Sequence, residues 1–503
     1  MARLTLAAYH SHRLLLVAIV FVLLNVLVGC LPDSHFVQES TSVQTLAQQT
    51  DAPAITHGPL SGEISATGAV LWARGNQAGE LRFDVAEDAD FAIVVLTTTV
   101  AIDVAADFTG KAPVDGLDAA KTYYYRVALT TDSATSANVM GQFTTAPAAT
   151  TAAPLNFVFG ACLGGQNYCR DKETGWVIFD QMAATQPDFF MITGDSIYVD
   201  TACDGEQNVP GAEGPFHDLA GYRTRYRYHL EDPHYADFLA ETPVYVTWDD
   251  HELLNDFGGP QLNAINANLL AAGTQAYFEY WPLPGSAEEP NRIYRQVRYG
   301  AHADFFILDT RSYRDPNVNW DPHPRTLAPK TMLGAEQFAW LQAGLAASDA
   351  TWKFIVTSVP LAYPTGFPQP EVDGRDGWAN YTERSGYETE LTALAFYLAA
   401  HDIQNVVFLA GDTHWPYAIS YDPDRDGEPN FYELASSPLS AIPLAPPATL
   451  DPTFNPTVLY AEGEFMGDLF NFGQVAIDAA GALIYRVVDW QGKERYSLQL
   501  QPE

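Results

Sequence analysis

DFFMITGDSIY, residues 188–198, is the segment that decides the fold. Its apolar run is typical of a strand that is buried on both faces, and a sharp loop with ligand-type residues follows it. Helical stretches such as 336–346 and 388–400 lie between several runs of this kind. The pattern predicts a layered α/β fold in which ligands gather at the carboxyl ends of the strands. The same arrangement recurs in NFVFGACLG (156–164), VYVTWDDHELLND (244–256), FFILDTRSYR (305–314) and NVVFLAGDTHW (405–415).

Residues 53–148 have a different pattern, with short alternating segments such as AVLWARG and TYYYRVAL between Gly, Asp and Asn residues. Such alternation is typical of an antiparallel sandwich with one face of each strand buried. We expect an all-β domain of the fibronectin or immunoglobulin type that acts as a spacer or cover, with carbohydrate or surface binding as the alternative. Residues 149–503 then form the second domain.

The first thirty residues carry a targeting signal. Arg3 and Arg13 precede an apolar run over 14–28, which ends in Leu-Val-Gly-Cys at Cys30. This resembles a bacterial lipoprotein signal peptide, with Cys30 as the lipid-modified residue, and an uncleaved membrane anchor is the alternative. Residues 31–52 are rich in Ser, Thr and Gln and predict a flexible tether. We therefore expect a protein of the bacterial cell envelope that lies outside the cytoplasm and contacts the membrane through its lipid.

The charge of the chain excludes one class of partner. Its 503 residues include 26 Lys and Arg against 62 Asp and Glu, for a net charge of −36. Such a charge repels nucleic acid backbones, so we expect no nucleic acid binding. An anionic substrate would need local cations at its site. We expect the chain to act as a monomer.

Three cysteines remain once Cys30 is assigned to the lipid. An odd number in an oxidising compartment means that one is free or has another use. We predict a disulfide between Cys169 and Cys203, both in loops, and a thiolate metal ligand at Cys162.

Three loops carry the residues suited to chemistry. Alone, the GDSIY sequence at 194–198 is a weak signal, because Gly-Asp after a strand is often only a turn. The segment 248–256 is stronger, since carboxylates as dense as these are costly to bury without a cation or mutual hydrogen bonds. Asp412 and His414 stand two residues apart, so both side chains point to one side of an extended chain. Together the three loops predict a metal site.

These segments, with GACLGG before them and FYELASSPLS after them, follow the order of the alkaline phosphatase D family, which the chain resembles over 53–495. The resemblance implies a four-layer α/β/β/α core of the calcineurin-like metallophosphatases. It also implies a ferric ion held by Cys162, Asp195, Tyr198 and His414, with Asp195 bridging to a second metal, calcium, that Asn255 and Asp412 also bind. Thiolate, phenolate and imidazole suit a transition metal, whereas carboxylate and amide oxygens suit Ca²⁺.

The resemblance implies a secreted hydrolase that releases phosphate from organic phosphomonoesters. Two cations would bind the phosphate oxygens and activate a water, whose hydroxide attacks phosphorus. We expect His251 and Asp250 to be catalytic, with His251 protonating the leaving group or orienting the phosphate. The alternative is that they form a network that positions Asn255. Other functions left open are a phosphodiesterase of the phospholipid or nucleotide type and a non-catalytic, calcium-dependent cell-surface binding protein.

The chain departs from the family at a helix that usually carries a phosphate-binding arginine. It has Leu269 and Leu270 there, and no arginine between Arg227 and Arg292. Arg225 and Arg311 are the candidates to replace it in substrate binding, although an arginine just past a strand is also a common structural clamp, and that role stays open for each.

The acidic stretch 422–427 has the spacing of a calcium-binding EF-hand loop, with Glu433 at its twelfth position. Pro429 and the strand-like residues after it argue against flanking helices. We expect a solvated hairpin turn, with a structural calcium site as the alternative.

Overall fold

A computed structural model describes residues 52–283, 289–316, 320–322, 325–365, 376–382 and 384–503, and for residues 259–267 only the backbone. The predicted signal peptide, Cys30 and almost all of the predicted tether lie outside the described residues. Ala52–Glu503 form one compact unit. Of the helices in the described part of the chain, none combines the length and the apolar character that a membrane span requires.

The described residues form twenty strands and six α-helices. The strands are β1 (Ile55–Gly62), β2 (Ala69–Gly75), β3 (Gly79–Ala86), β4 (Val94–Ile102), β5 (Thr109–Val114), β6 (Thr122–Thr130), β7 (Val139–Thr144), β8 (Leu155–Gly160), β9 (Phe189–Thr193), β10 (Val244–Thr247), β11 (Arg295–Tyr299), β12 (Ala303–Ile307), β13 (Trp352–Val356), β14 (Val406–Ala410), β15 (Tyr417–Tyr421), β16 (Phe431–Ala435), β17 (Pro456–Ala461), β18 (Asn471–Ile477), β19 (Leu483–Asp489) and β20 (Glu494–Leu500). The helices are α1 (Ile178–Ala184), α2 (Leu219–Leu230), α3 (Pro233–Glu241), α4 (Gly259–Tyr280), α5 (Gly334–Ala347) and α6 (Glu388–Ala400).

Two large sheets form the centre of the fold. One has nine strands in the order β20-β19-β18-β8-β9-β10-β1-β2-β5, and the other has seven in the order β11-β12-β13-β14-β16-β15-β17. Within them β8, β9 and β10 run parallel, as do β12, β13, β14 and β16. Parallel strands end at the same edge of a sheet, so the loops after these strands are brought together at one edge of each sheet.

The two sheets pack face to face through aromatic side chains. The ring of Phe157 on β8 lies 5.3 Å from that of Phe305 on β12 and 5.5 Å from that of Phe354 on β13. The outer face of the nine-stranded sheet packs with residues of α1–α4, and the outer face of the seven-stranded sheet with residues of α5 and α6. The predicted α/β/β/α core is therefore confirmed.

The strands predicted for an amino-terminal sandwich are also present, but they are divided between two sheets. A separate sheet has the order β4-β3-β6-β7, whereas β1, β2 and β5 extend the nine-stranded sheet. The link is a parallel pairing of β1 with β10, at Gly62 and Val244. Leu71 of β2 and Phe83 of β3 belong to the same buried cluster as Phe157, so this segment shares the core of the second domain.

Candidate metal centre

Four of the predicted ligands meet at the edge where β8, β9 and β14 end. The Tyr198 hydroxyl lies 2.9 Å from Oδ2 of Asp195 and 2.9 Å from Nε2 of His414. The Sγ of Cys162 lies 3.5 Å from the same Asp195 oxygen. All four side chains are buried, and ligand atoms of Cys162, Asp195 and His414 lie within 4.8 Å of one another. The structure thus brings together the proposed first ligand set.

The backbone at these positions turns sharply. Cys162, Asp195, Asp412 and His414 all adopt positive φ, between 50° and 65°. Non-glycine residues pay of order 1–3 kcal/mol for such conformations, which persist where the surrounding structure enforces them and which cluster at functional sites. Each residue follows the end of a buried strand closely, so the turn directs its side chain into the space between the sheet edges.

The donor set fits a transition-metal cation. Burial raises the pKa of Cys162 and Tyr198 well above their usual values, and Asp195 adds to both shifts. Burial also lowers the pKa of His414 to about 4, so its ring is neutral. Because Nδ1 of His414 lies 2.6 Å from the Ile442 carbonyl, which only accepts, that nitrogen carries the proton and Nε2 keeps its lone pair for the cluster. A bound cation would supply the positive charge that these buried thiol, phenol and carboxyl groups lack.

Beside this set lies a second one that is richer in oxygen. Ligand atoms of Asp195, Asp250 and His251 lie within 4.8 Å of one another, so Asp195 belongs to both sets. Oδ1 of Asp250 and Oδ2 of Asp412 are buried without a hydrogen-bond partner among the described residues, although Nη2 of Arg311 lies 3.8 Å from the Asp250 oxygen. Buried carboxylate oxygens that accept no hydrogen bond are costly, and they fit a hard cation such as Ca²⁺.

The structure supports the other two ligands predicted for the second metal, Asp412 and Asn255, less directly. Asp412 is in neither of the compact sets, although burial and the charges of Asp249, Asp376 and Asp250 raise its pKa well above the usual value. Asn255 is exposed, and its backbone N–H donates to Oδ2 of Asp200 over 2.7 Å.

His251 is held from three sides. Its Nδ1 lies 2.8 Å from Oδ1 of Asp200, its ring stacks on that of Tyr198 at 4.1 Å, and its backbone N–H donates to Asp195 over 3.2 Å. Burial alone would lower the pKa of His251, but Asp200, Asp250 and Asp195 hold it well above the usual value. Because Nδ1 of His251 is hydrogen-bonded to Asp200, Nε2 is the ring nitrogen available for a hydrogen bond to a substrate.

Asp250, the other residue predicted to be catalytic, stabilises the loop that follows β10. Its Oδ2 accepts a hydrogen bond from the backbone N–H of Asp256 over 2.6 Å. Asp250 also contributes to a further carboxylate group with Asp256 and Asp376. Glu252 joins this loop to that of Asp195, because its carboxylate accepts from the backbone N–H groups of Ser196 and Asp249.

Arg225 and Arg311, the residues predicted to bind substrate, both have fully buried side chains. Arg225 packs on the ring of Phe216, donates to the carbonyl of Thr201 over 3.0 Å and contacts Cys203. Arg311 donates to Asp249 over 2.5 Å and pairs with Asp376. These contacts support the structural role that stood as the alternative for each arginine.

Asp200 and Asp376 were missed by the sequence analysis. Asp200 had a signal, since it follows Tyr198 by two positions in the same ligand loop. Asp376 had none, because its role depends on Arg311 and on Arg314, whose Nη1 lies 2.9 Å from its Oδ1.

The remaining cysteines and the acidic stretch lie outside the two metal sets. Cys169 and Cys203 form a disulfide with Cα atoms 5.8 Å apart, and Cys162 is a free buried thiol. Residues 422–430 form the hairpin connection between β15 and β16, without flanking helices. The carboxylates of Asp422, Asp424 and Asp426 lie within 4.8 Å of one another in that turn.

Two packed sheets with metal-ligand side chains gathered at the strand ends define the metallophosphatase class of folds. The solved structure of a purple acid phosphatase from yellow lupin (Lupinus luteus) seeds has this fold, with a TM-score of 0.60 at 12% identity over 89% of this chain and 74% of that one. The chain belongs to the PhoD-like phosphatase family, whose model matches residues 157–481, and the family's amino-terminal domain matches 39–147.

Two relatives within the family cover most of the chain. Alkaline phosphatase D of Bacillus subtilis (strain 168) is 29% identical over 404 residues, which are 73% of this chain and 66% of that protein. The matched stretch thus spans just under two thirds of that relative. A solved structure of PhoD superposes with a TM-score of 0.71 at 23% identity, over 90% of each chain.

Proposed function

We propose that the chain is a metal-dependent phosphoester hydrolase that releases phosphate from organic phosphomonoesters. The observation that carries the proposal is the convergence of Cys162, Asp195, Tyr198 and His414 beside the oxygen-rich set of Asp195, Asp250 and His251. We assign Fe³⁺ to the first set, because thiolate and phenolate are its distinguishing donors. We assign Ca²⁺ to oxygen ligands beside it, namely the shared carboxylate of Asp195 with the predicted ligands Asn255 and Asp412. Membership of the PhoD-like phosphatase family supports the reaction class.

When bound, the two cations would lower the pKa of a water and neutralise charge on the phosphate. The proton transfer that follows depends on residues of the protein. Asp200 orients His251 and favours its protonated form, so Nε2 of His251 donates a proton to the leaving alkoxide or to a phosphate oxygen. Tyr198 stacks against the same ring and limits its rotation.

A phosphodiesterase is the second candidate, and the arginines favour it. Arg311 is fully buried, and its charge is balanced by three carboxylates of the protein, those of Asp249, Asp250 and Asp376. A monoester carries about two negative charges near neutral pH, as a phosphorylated side chain does, whereas a diester carries one. A diester therefore needs less countercharge from the protein.

We propose further that the enzyme works outside the cytoplasm, held at the bacterial cell envelope by a lipid on Cys30. The support is the apolar run and the Leu-Val-Gly-Cys sequence at 27–30. Its partners are then a small-molecule or lipid phosphoester and the membrane that holds the lipid. The monomeric state is part of the same proposal.

The test combines metal content, visible spectrum and turnover. Purified protein should contain iron, absorb visible light and hydrolyse p-nitrophenyl phosphate or bis-p-nitrophenyl phosphate with Ca²⁺ supplied. Asp195→Asn should lose both metals and the activity, because Asp195 belongs to both sets. Asp304→Asn is the matched control, since Asp304 is equally buried but is the second residue of β12, at the opposite edge. Full iron content and turnover in Asp195→Asn would refute the proposal.

A further inference from the structure

Residues 462–470 connect the two sheets at the edge that carries the metal ligands. β17 ends at Ala461, which pairs with Tyr417 at the start of β15, shortly after His414. β18 pairs with β8 in the antiparallel direction, with Gly473 opposite Phe159 near the end of β8. The connection therefore begins and ends beside ligand loops.

The connection is fixed to the segment that holds His414. His414 is bonded through Nδ1 to the carbonyl of Ile442, and the next carbonyl, that of Pro443, accepts from the backbone N–H of Met466 over 2.8 Å. The approach is close, because a Cβ on Gly463 would lie 2.3 Å from the carbonyl oxygen of Leu444. The position of the turn thus depends directly on the segment that orients a metal ligand.

Two large apolar side chains on the connection 462–470 are exposed to solvent. Phe465 is 63% exposed and Met466 is 61% exposed, and we call the pair the apolar lip. Large apolar side chains in water gain free energy when a ligand covers them. Their backbone is already ordered, so binding there costs little further conformational entropy.

We infer that the apolar lip binds the hydrophobic ester group of the substrate, so that the enzyme favours phosphoesters of long-chain alcohols. The inference rests on the proposed function and names the substrate class of that site. Glu464 and Asp468 flank the lip and are exposed, and the chain carries −36 overall. These charges disfavour docking of the lip on an anionic lipid surface, whereas an alkyl chain attached to a bound phosphate carries no charge of its own.

The test compares kcat/KM for methyl and octyl phosphate, followed by release of inorganic phosphate. The same comparison is made with methyl and octyl p-nitrophenyl phosphate, followed by release of p-nitrophenol. Phe465→Ser with Met466→Ser should lower the octyl-to-methyl ratio about tenfold, the scale of removing a few methylene contacts from a binding site. Phe396→Ser, on α6, and Met140→Ser, on β7, are matched controls at 72% and 62% exposure, and both should keep the wild-type ratio.

The possible failures are distinguishable. Wild-type protein that hydrolyses none of the four esters would refute the proposed function. Hydrolysis with the same octyl-to-methyl ratio in the lip variants and the wild type would overturn the inference alone. Loss of binding to phosphatidylcholine vesicles in the lip variants, with that ratio unchanged, would also overturn it and assign the lip to a membrane surface.

Discussion

The Tyr198 hydroxyl lies 2.9 Å from Nε2 of His414, although 216 positions separate the two residues in the chain. Tyr198 follows β9 of one sheet and His414 follows β14 of the other, so the contact joins the two sheets at their ligand edge. The protonated Nδ1 of His414 makes Nε2 an acceptor, so the phenol has two neighbours, this nitrogen and Oδ2 of Asp195, for its single proton. A cation in this place would compete for the same two atoms.

Tyr198→Phe should remove the visible absorption and lower the bound iron, because it deletes one oxygen donor and leaves the ring in place. Tyrosinate bound to ferric iron is the expected origin of the colour. Tyr222→Phe is the control, since that tyrosine is also fully buried but lies on α2 and outside both metal sets. Visible spectra and elemental analysis of both variants check the prediction. An unchanged spectrum in Tyr198→Phe would exclude the phenolate ligand.

Asp200→Asn should shift the alkaline limb of the kcat profile to lower pH. Asp200 is the first of the charges that raise the pKa of His251, so its removal lets His251 lose its proton at lower pH. An acid catalyst is active below its pKa, and the limb therefore moves down. The matched control is Asp180→Asn, which removes a similar 2.8 Å contact to a histidine, His234, at the surface. If the profile follows the wild type, His251 is not the titrating acid.

The layers of the fold could be predicted from the sequence because a buried parallel strand has a continuous apolar run. β9, β10, β12 and β14 all coincide with such runs. The sheet to which the amino-terminal strands belong could not be predicted in this way. Alternation tells which face of a strand is buried, but the pairing of β1 with β10 depends on contacts between distant parts of the chain.

The predicted ligands of the first metal were brought together, because their residue types follow strand ends directly. The partners of the two arginines predicted to bind substrate could not be foreseen, for a physical reason. A sequence shows a positive charge beside a strand but not the carboxylates that surround it, and Arg311 meets Asp249 and Asp376 only in the folded chain.

Arg311→Met should destabilise the folded protein by about 3–5 kcal/mol, because Asp249 and Asp376 would lose a buried partner. Arg292→Met is the control, since its partner Glu289 and Arg292 itself are both largely exposed and such pairs contribute under about 1 kcal/mol. Urea unfolding followed by tryptophan fluorescence measures the difference. A raised KM with unchanged stability would instead return Arg311 to substrate binding.

The double variant Cys169→Ser/Cys203→Ser should lose about 3–4 kcal/mol of stability. The disulfide closes a loop between residues 34 apart, and the estimate is the chain entropy that such a closure removes from the unfolded state. Cys162 is separate from this bond, so iron content should stay near the wild-type value at low temperature. Reduction of the wild-type protein should reproduce the loss, and equal unfolding midpoints with and without reductant would contradict it.

His57→Gln should make the protein less sensitive to acid between pH 6.5 and 4. Burial, followed by the charges of Arg74 and Arg227, lowers the pKa of His57 to about 4 in the folded protein, from 6.5. As the pH falls through this window, the unfolded chain takes up a proton that the folded chain refuses, so wild-type stability falls by up to about 3 kcal/mol from this group. Above pH 6.5 the histidine is neutral in both states and contributes no pH dependence. Urea midpoints at pH 7.5 and 4.5 for the wild type, His57→Gln and the exposed control His401→Gln separate this contribution from that of the carboxylates. Parallel loss of stability in all three proteins would show that His57 accepts its proton in the folded state.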